Sequence, residues 1–370
     1  MFSDHLYLHP FFLILLCSMS NHIRASEEVG YSFQHFSYAG PMAVMQLANE
    51  WHGELKRGDD AISFIQNEVF VKSGGFHLGY LTRNYQQFEI DNELARGFYY
   101  YNNEISLDEE CRINADLKAK TYAGQGLRLG YGFSDLASHE DYSVKVSPSF
   151  VALRLDNIIW GDFQGELFYN DTKNWGGTID LDYAYTEDHI VRRPLSGDYL
   201  GWLYGLDLDV DIATPWFDLD YQGINVYSRI FWQGVPRTTA QVSTETAFLL
   251  FGFEYYEDIE LNPPALHYAE VAAPLAVLSG IVNLEGVSGV SSARVTPIKS
   301  FYYHGLQFER EVNLFGYVKP YSFALQYDFS SATPRLSLEH PNFSFVFASQ
   351  TLDVSRSQQL VANFTFHYTF

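Results

Sequence analysis

Residues 360–370 read LVANFTFHYTF. Phe364, Phe366, Tyr368 and Phe370 occupy every second position, and Asn363, Thr365, His367 and Thr369 fall between them. A β-strand sends successive side chains to opposite faces, so one face of this segment is wholly aromatic and the other wholly polar. A soluble sheet rarely finishes on four bare aromatics. A strand with lipid on one side and a wet interior on the other needs that division.

The segment resembles the C-terminal strand of Gram-negative outer-membrane β-barrels, whose terminal aromatic residue is part of the signal read by the barrel-assembly machinery. The resemblance rests on Phe364, Phe366, Tyr368 and Phe370 and names a superclass rather than one family. It implies an antiparallel up-and-down transmembrane barrel. It also implies contact with outer-membrane lipid and lipopolysaccharide, and assembly by that machinery.

The rest of the chain reads as strand and turn. Segments 63–72 and 76–85 flank Ser73-Gly74-Gly75, a hairpin signal. Further strands are expected over 95–103, 112–122, 126–134, 142–156, 158–169, 177–186, 199–212 and 216–232. Others are expected over 245–258, 267–284, 297–309, 314–328, 335–348 and 360–370. The spacing predicts an all-β chain of about 14 to 16 strands, the even number suiting a single-chain barrel. Counting back from a periplasmic C-terminus places 353–358 and 330–334 outside the cell and the turn at 340–342 in the periplasm. The irregular segments 186–198 and 286–296 are external-loop candidates on the same count. Neither a repeat nor a linker divides residues 61–370, which read as one barrel domain.

At the other end, Phe11–Met19 (FFLILLCSM) is an apolar run followed by a polar stretch, with Ala25 a tolerable cleavage position. Residues 1–25 therefore read as a secretory leader, although the segment before the run has neither Lys nor Arg. Asp4 and Arg24 cancel, so cleavage leaves the net charge at −22. Such an acidic chain has no electrostatic affinity for nucleic acid. Cys17 leaves with the leader and Cys111 stays alone, which excludes an intrachain disulfide and a Cys-rich metal site.

Residues 26–60 carry the one expected helix, over 41–57. Val44, Ala48, Trp51 and Leu55 recur at helical spacing, with Pro41 in the first turn and Gly58 at the stop. Two placements fit it, a plug inside the barrel and a cap at the periplasmic rim. No later segment is long and apolar enough for a transmembrane helix. The best, Val271–Leu284, is interrupted by Pro274 and Gly280.

Several strands alternate cleanly enough to assign faces. Arg112, Asn114, Asp116, Lys118 and Lys120 share one face of 112–122, and Ile113, Ala115, Leu117 and Ala119 share the other. Asp180 and Asp182, then Asp207, Asp209 and Asp211, then Asp218 and Asp220 alternate with apolar residues in the same way. A carboxylate facing lipid is costly, so these ladders are expected to face inward. The inward candidates are basic in the earlier strands (Lys118, Lys120, Arg128, Lys145, Arg154) and acidic from 180 to 220. This predicts a basic and an acidic wall, an arrangement similar to that of general porins. In the opposing arrangement the same groups pair across a narrow barrel and fill it.

No phosphate loop, zinc spacing or Gly-x-Ser-x-Gly pattern is present, and the histidines are scattered. No catalytic, cofactor-binding or metal-ligating residue is assigned. Nothing local matches the outer-membrane phospholipases or omptin-type proteases. The expectation is a porin-like channel for small solutes or ions. The alternatives are a closed barrel with a structural, adhesive or assembly role, and an outer-membrane hydrolase acting on lipid or peptide.

Overall fold

The computed structural model describes residues 27–45, 53–105, 107, 110–134, 142–169, 175–188, 200–214, 218–243, 248–263, 266–272, 302–314, 317–328 and 333–369. Among them, fifteen strands form one antiparallel up-and-down sheet. In chain order they are β1 (Glu28–Ala39), β2 (Asp60–Ser73), β3 (Phe76–Ile90), β4 (Cys111–Tyr131), β5 (Ser143–Tyr169), β6 (Trp175–Tyr185), β7 (Leu200–Ala213) and β8 (Asp218–Ser243). Then follow β9 (Phe248–Leu261), β10 (Leu266–Ala272), β11 (Tyr302–Leu314), β12 (Tyr317–Asp328), β13 (Thr333–His340), β14 (Phe343–Ser349) and β15 (Gln359–Thr369). The chain is all-β, as the alternation predicts.

The segments expected at 112–122 and 126–134 are one strand, β4, and those at 142–156 and 158–169 are one strand, β5. A register shift at Ala123/Gly124 absorbs the irregularity that suggested two strands. Conversely, 335–348 divides at a turn into β13 and β14. The Ser73-Gly74-Gly75 signal is a two-residue hairpin, with Gly74 and Gly75 at φ 56° and 90°. Positive φ at both central positions matches the twist of the flanking strands, and glycine adopts it without a Cβ clash.

Two strand positions are each filled by two strands laid end to end. β5 pairs with β7 through 143–155 and with β6 through 159–169. β8 pairs with β10 through 218–224 and with β9 through 230–243. The fifteen strands thus fill thirteen positions. Direction alternates along the path, so its two ends, β9/β10 and β11, run the same way. Cα atoms of β10 and β11 approach within 8 Å. The first and last strands pair with each other, Tyr31 opposite Phe366 and Phe33 opposite Phe364.

The helix expected over 41–57 is described only at its ends. Residues 46–52 lie outside the described residues, Val44 and Met45 are helical, and 53–58 are not. A helix, α1 (Asn92–Asn102), stands where a strand was expected at 95–103, and that expectation is corrected. Asp91 caps it by accepting a bond from the Glu93 amide at 2.7 Å. Its Leu94 and Ala95 are buried against Ile90 and Ala115 beside β4. The aromatic run Phe98–Tyr101 suits a strand by propensity, and tertiary packing overrides it. The expected leader, residues 1–25, the loop candidate 286–296, residues 189–198 of the candidate 186–198 and residues 330–332 of the candidate 330–334 lie outside the described residues, and Thr333 and Pro334 belong to β13.

The sheet curls far enough for β3 side chains to touch β7 and β8. The face on which strands meet in this way is called inner below. It is filled by an apolar layer including Phe64, Leu81, Tyr85, Tyr122, Leu153, Leu155, Leu203, Ile230 and Trp232.

Candidate functional site: a charged crosspiece

Beside that apolar layer, five strands contribute to one polar network. β2 supplies Gln66 and Glu68, β3 supplies Arg83, β4 supplies Tyr122 and Arg128, β7 supplies Asp207 and β8 supplies Asn225. All seven are buried; Arg83 is 1% exposed and Asp207 3%. Except for Asn225, the positions alternate with outward residues, so strand geometry delivers them to the inner face.

Asp207 is the hub. Its Oδ2 accepts from Arg83 Nη2 at 2.6 Å and from Arg128 Nη2 at 2.7 Å, and its Oδ1 accepts from the Asn225 amide at 2.8 Å. Arg83 also donates from Nε to Gln66 Oε1 (2.9 Å) and from Nη1 to Asn225 Oδ1 (2.7 Å). Arg128 Nη1 donates to Glu68 Oε2 at 2.6 Å. Asn225 Nδ2 donates to the Tyr122 hydroxyl at 2.7 Å, and His77 Nε2 lies 2.8 Å from Glu68 Oε1. Two guanidinium groups thus face two carboxylates. Desolvation of buried ions is offset only by this kind of multiple charge-assisted bonding.

A bulge makes the hub possible. The β7–β8 register runs from Leu206 opposite Tyr227 to Leu208 opposite Gly223, so β8 carries extra residues there. Asn225 sits among them at φ 55°. That left-handed conformation frees its amide from the ladder and turns it toward Asp207.

The expected inward residues are distributed as follows. Arg128 and Asp207 lie within the crosspiece. Lys120 Nζ donates to Glu89 Oε1 at 2.8 Å, and Lys118 is half-buried on the same face. Lys145 Nζ is 3.2 Å from Asp211 Oδ2, with both side chains about half exposed. Asp209 lies between Asp207 and Asp211 on that face. Asp182 receives a two-point contact from Arg237, Nε to Oδ1 at 2.7 Å and Nη2 to Oδ2 at 2.8 Å. Asp180 accepts from Gln241 Nε2 at 2.9 Å. Asp220 is in register with Asp211, and Asp218 with Ala213.

Two corrections follow. Arg154 is on the opposite, outer face: Leu153 and Leu155 are buried while Arg154 is exposed, in register with Gln125 and Trp202. Lys145 and Arg154 are an odd number of residues apart, so an unbroken strand cannot face both inward. The basic and acidic walls are also not separate, because Asp182, Asp207 and Asp211 each meet a cation. Of the aromatic set, Phe364, Phe366 and Tyr368 are exposed on the outer face, and Phe370 lies outside the described residues.

Of the seven crosspiece residues, Gln66, Glu68, Arg83, Tyr122 and Asn225 are not among the expected inward residues. Their partners are distant in sequence, Arg83 and Asn225 by 142 positions, and no local motif marks such a pair. The one available signal was Arg83 and Glu68 sharing inward parity on the two arms of the 73–75 hairpin. Among the described residues no cluster of His, Cys, Asp or Glu is arranged to hold a metal. The crosspiece has the chemistry of a tie between strands, with charge balanced inside it. No protein-family model matches this chain, and no characterised protein is significantly similar to it.

Proposed function

We propose that the chain is an outer-membrane β-barrel whose interior is occluded at the crosspiece, and that it passes small ions or solutes only past that barrier. The sheet then closes along β10 and β11, whose Cα atoms approach within 8 Å. Because those ends run the same way, the seam is parallel. Residues 1–25 act as the leader for export. The aromatic outer face of β15 is read by the assembly machinery and then faces lipid and lipopolysaccharide.

One observation carries the transport reading. Charged residues flank the crosspiece on the inner face on both sides, with Lys120, Glu89, Asp182 and Arg237 towards one rim and Lys145 and Asp211 towards the other. A wet vestibule on each side of a constriction accounts for half-exposed charges in those places. A second reading, a closed barrel of structural or adhesive role, is favoured by the apolar layer beside the crosspiece.

Conductance across a planar bilayer separates the two. Purified protein that migrates anomalously before boiling is the folded starting material. The transport reading expects small, cation-preferring currents from wild type and larger ones from Arg83→Ala. Silence from both, with folded protein in the membrane, leaves the closed barrel. Recovery as a soluble protein overturns the membrane reading altogether.

A further inference from the structure

A strand tilted across a bilayer needs about 9–11 residues. β4 has 21, β5 has 27 and β8 has 26. At about 3.3 Å per residue β5 extends for about 90 Å, far more than one crossing requires. The outer face says which part is in lipid.

On β4, Leu127 (50% exposed), Leu129 (56%) and Tyr131 face outward, with Phe150 on β5 and Tyr204 and Leu206 on β7. They form one patch by register, since Leu129 pairs with Phe150 and Phe150 with Leu206. On β4 and β5 the patch stops at Gln125 and Arg154, which are exposed, polar and paired in register. Trp202 on β7, in register with Arg154, and Phe231 on β8, in register with Trp202, form its rim at that level. From Arg154 down to Ser143, the end of β5, is close to one bilayer crossing. Beyond Gln125, towards Cys111, the outer face is again apolar at Ile113, Ala115 and Leu117. There it is covered by α1.

The cover is tight. Leu94 and Ala95 are buried against Ala115, and a Cβ at Gly97 would meet Ile113 Cδ1 at 3.1 Å. The opposite side of α1 exposes Asn92, Glu93 and Arg96. In hydrocarbon, apolar wall residues need no cover, and a helix presenting Glu and Arg there is costly.

We infer that only the lower parts of β4, β5 and β7, below Gln125 and Arg154, contact acyl chains. The upper parts of β4 and β5 stand outside the hydrocarbon, with α1 as their outer wall. This rests on the membrane reading above.

The test replaces Cys111 by Ser and places single spin labels through Leu129→Cys, Phe150→Cys and Arg96→Cys in vesicle-reconstituted protein. Flotation with the vesicles and heat-modifiable migration establish insertion first. Molecular oxygen is expected to relax the Leu129 and Phe150 labels more than a water-soluble nickel complex does. The order is expected to reverse at Arg96. Oxygen-dominated relaxation at Arg96, or nickel-dominated relaxation at Leu129 and Phe150, overturns the boundary while leaving the membrane reading standing. Labels at Leu129 shielded from both reagents and broadened by spin–spin coupling assign the patch to a second copy, which also overturns it. Protein that never floats with vesicles overturns the membrane reading, and the boundary with it.

Discussion

Arg128 and Leu129 are neighbours in β4 with opposite surroundings. Arg128 is 9% exposed and its guanidinium is bonded to two carboxylates, whereas the leucine is 56% exposed with no cover. A protein folded only by water would place them the other way round. The inversion extends over several strands: Arg83, Asp207 and Glu68 are inside, while Phe150, Tyr204, Phe366 and Tyr368 are outside. Around α1 the relation reverts, since Ile113 and Ala115 on the outer face are buried. One sheet thus carries two regimes. The lower one leaves its apolar outer face uncovered, which on the membrane reading faces lipid, and the upper one supplies its own cover.

The largest effect is expected where the inside is most committed. Asp207→Ala removes the shared acceptor of Arg83 and Arg128 and leaves two buried cations against one carboxylate, Glu68. Breaking a buried pair in this way costs about 3–5 kcal/mol. The unfolding midpoint in detergent should fall accordingly. The double substitution Glu68→Leu with Arg128→Met should cost less, because Arg83 and Asp207 remain paired. Equal losses from the two variants would mean that Asp207 is not the hub.

Leu129→Arg tests the outside. In lipid, an Arg on the outer face near mid-membrane costs about 2–4 kcal/mol. On a water-exposed sheet the same change stays within about 0.5 kcal/mol. Folding equilibria in vesicles, read by gel mobility before boiling, distinguish these values. A negligible effect would break the inside–outside comparison.

Most of this contrast was legible in the chain, and what was missed was missed for identifiable reasons. Period-two alternation places Lys118, Lys120 and Arg128 on one face and the Asp207–Asp211 ladder on another strand's same face, because a strand has no other choice. Arg154 was misplaced by grouping residues by charge instead of by parity. α1 was read as a strand because Phe98–Tyr101 matches β propensity, although Asp91 and Glu93 already offered a helix start. The crosspiece was not legible as a unit. It needs Arg83 to reach Asp207 and Asn225 across a curled sheet, and it needs a bulge whose position only the β7–β8 register reveals.

That bulge makes a smaller, sharper prediction. Asn225→Ala keeps the chain length but removes the acceptor of Arg83 and the donor to Tyr122. It also strains φ 55°, which Asn tolerates better than Ala. A loss of about 1–3 kcal/mol is expected. Asn225→Gly relieves the strain without restoring the side-chain bonds, so it should recover part of the loss in the same detergent assay. If Gly recovers nothing, the backbone conformation contributes no strain to the hub.

The smallest effect belongs to an exposed counterpart of the crosspiece. In the β14–β15 connection, Asp353 Oδ1 accepts from the Ser355 hydroxyl at 2.6 Å and from its amide at 3.2 Å. Arg356 Nε is 3.3 Å from Asp353 Oδ2. The Ser355 hydroxyl, with smaller help from its amide and Arg356, holds the Asp353 carboxyl below the usual carboxylate range. A depressed folded-state pKa stabilises the turn above the unfolded value, near pH 4, and that contribution is lost as pH falls through the folded value. Amide-exchange protection over 350–358, taken relative to the intrinsic rate at each pH, should therefore fall on acidification below about pH 4. In Asp353→Asn that protection should be weaker at neutral pH and nearly insensitive to acid, while the unfolding midpoint of the whole protein stays unchanged. Solvent screens this contact, whereas the crosspiece is shielded from water. A midpoint that shifts as far in Asp353→Asn as in Asp207→Ala would show that burial does not set the difference between the two sites.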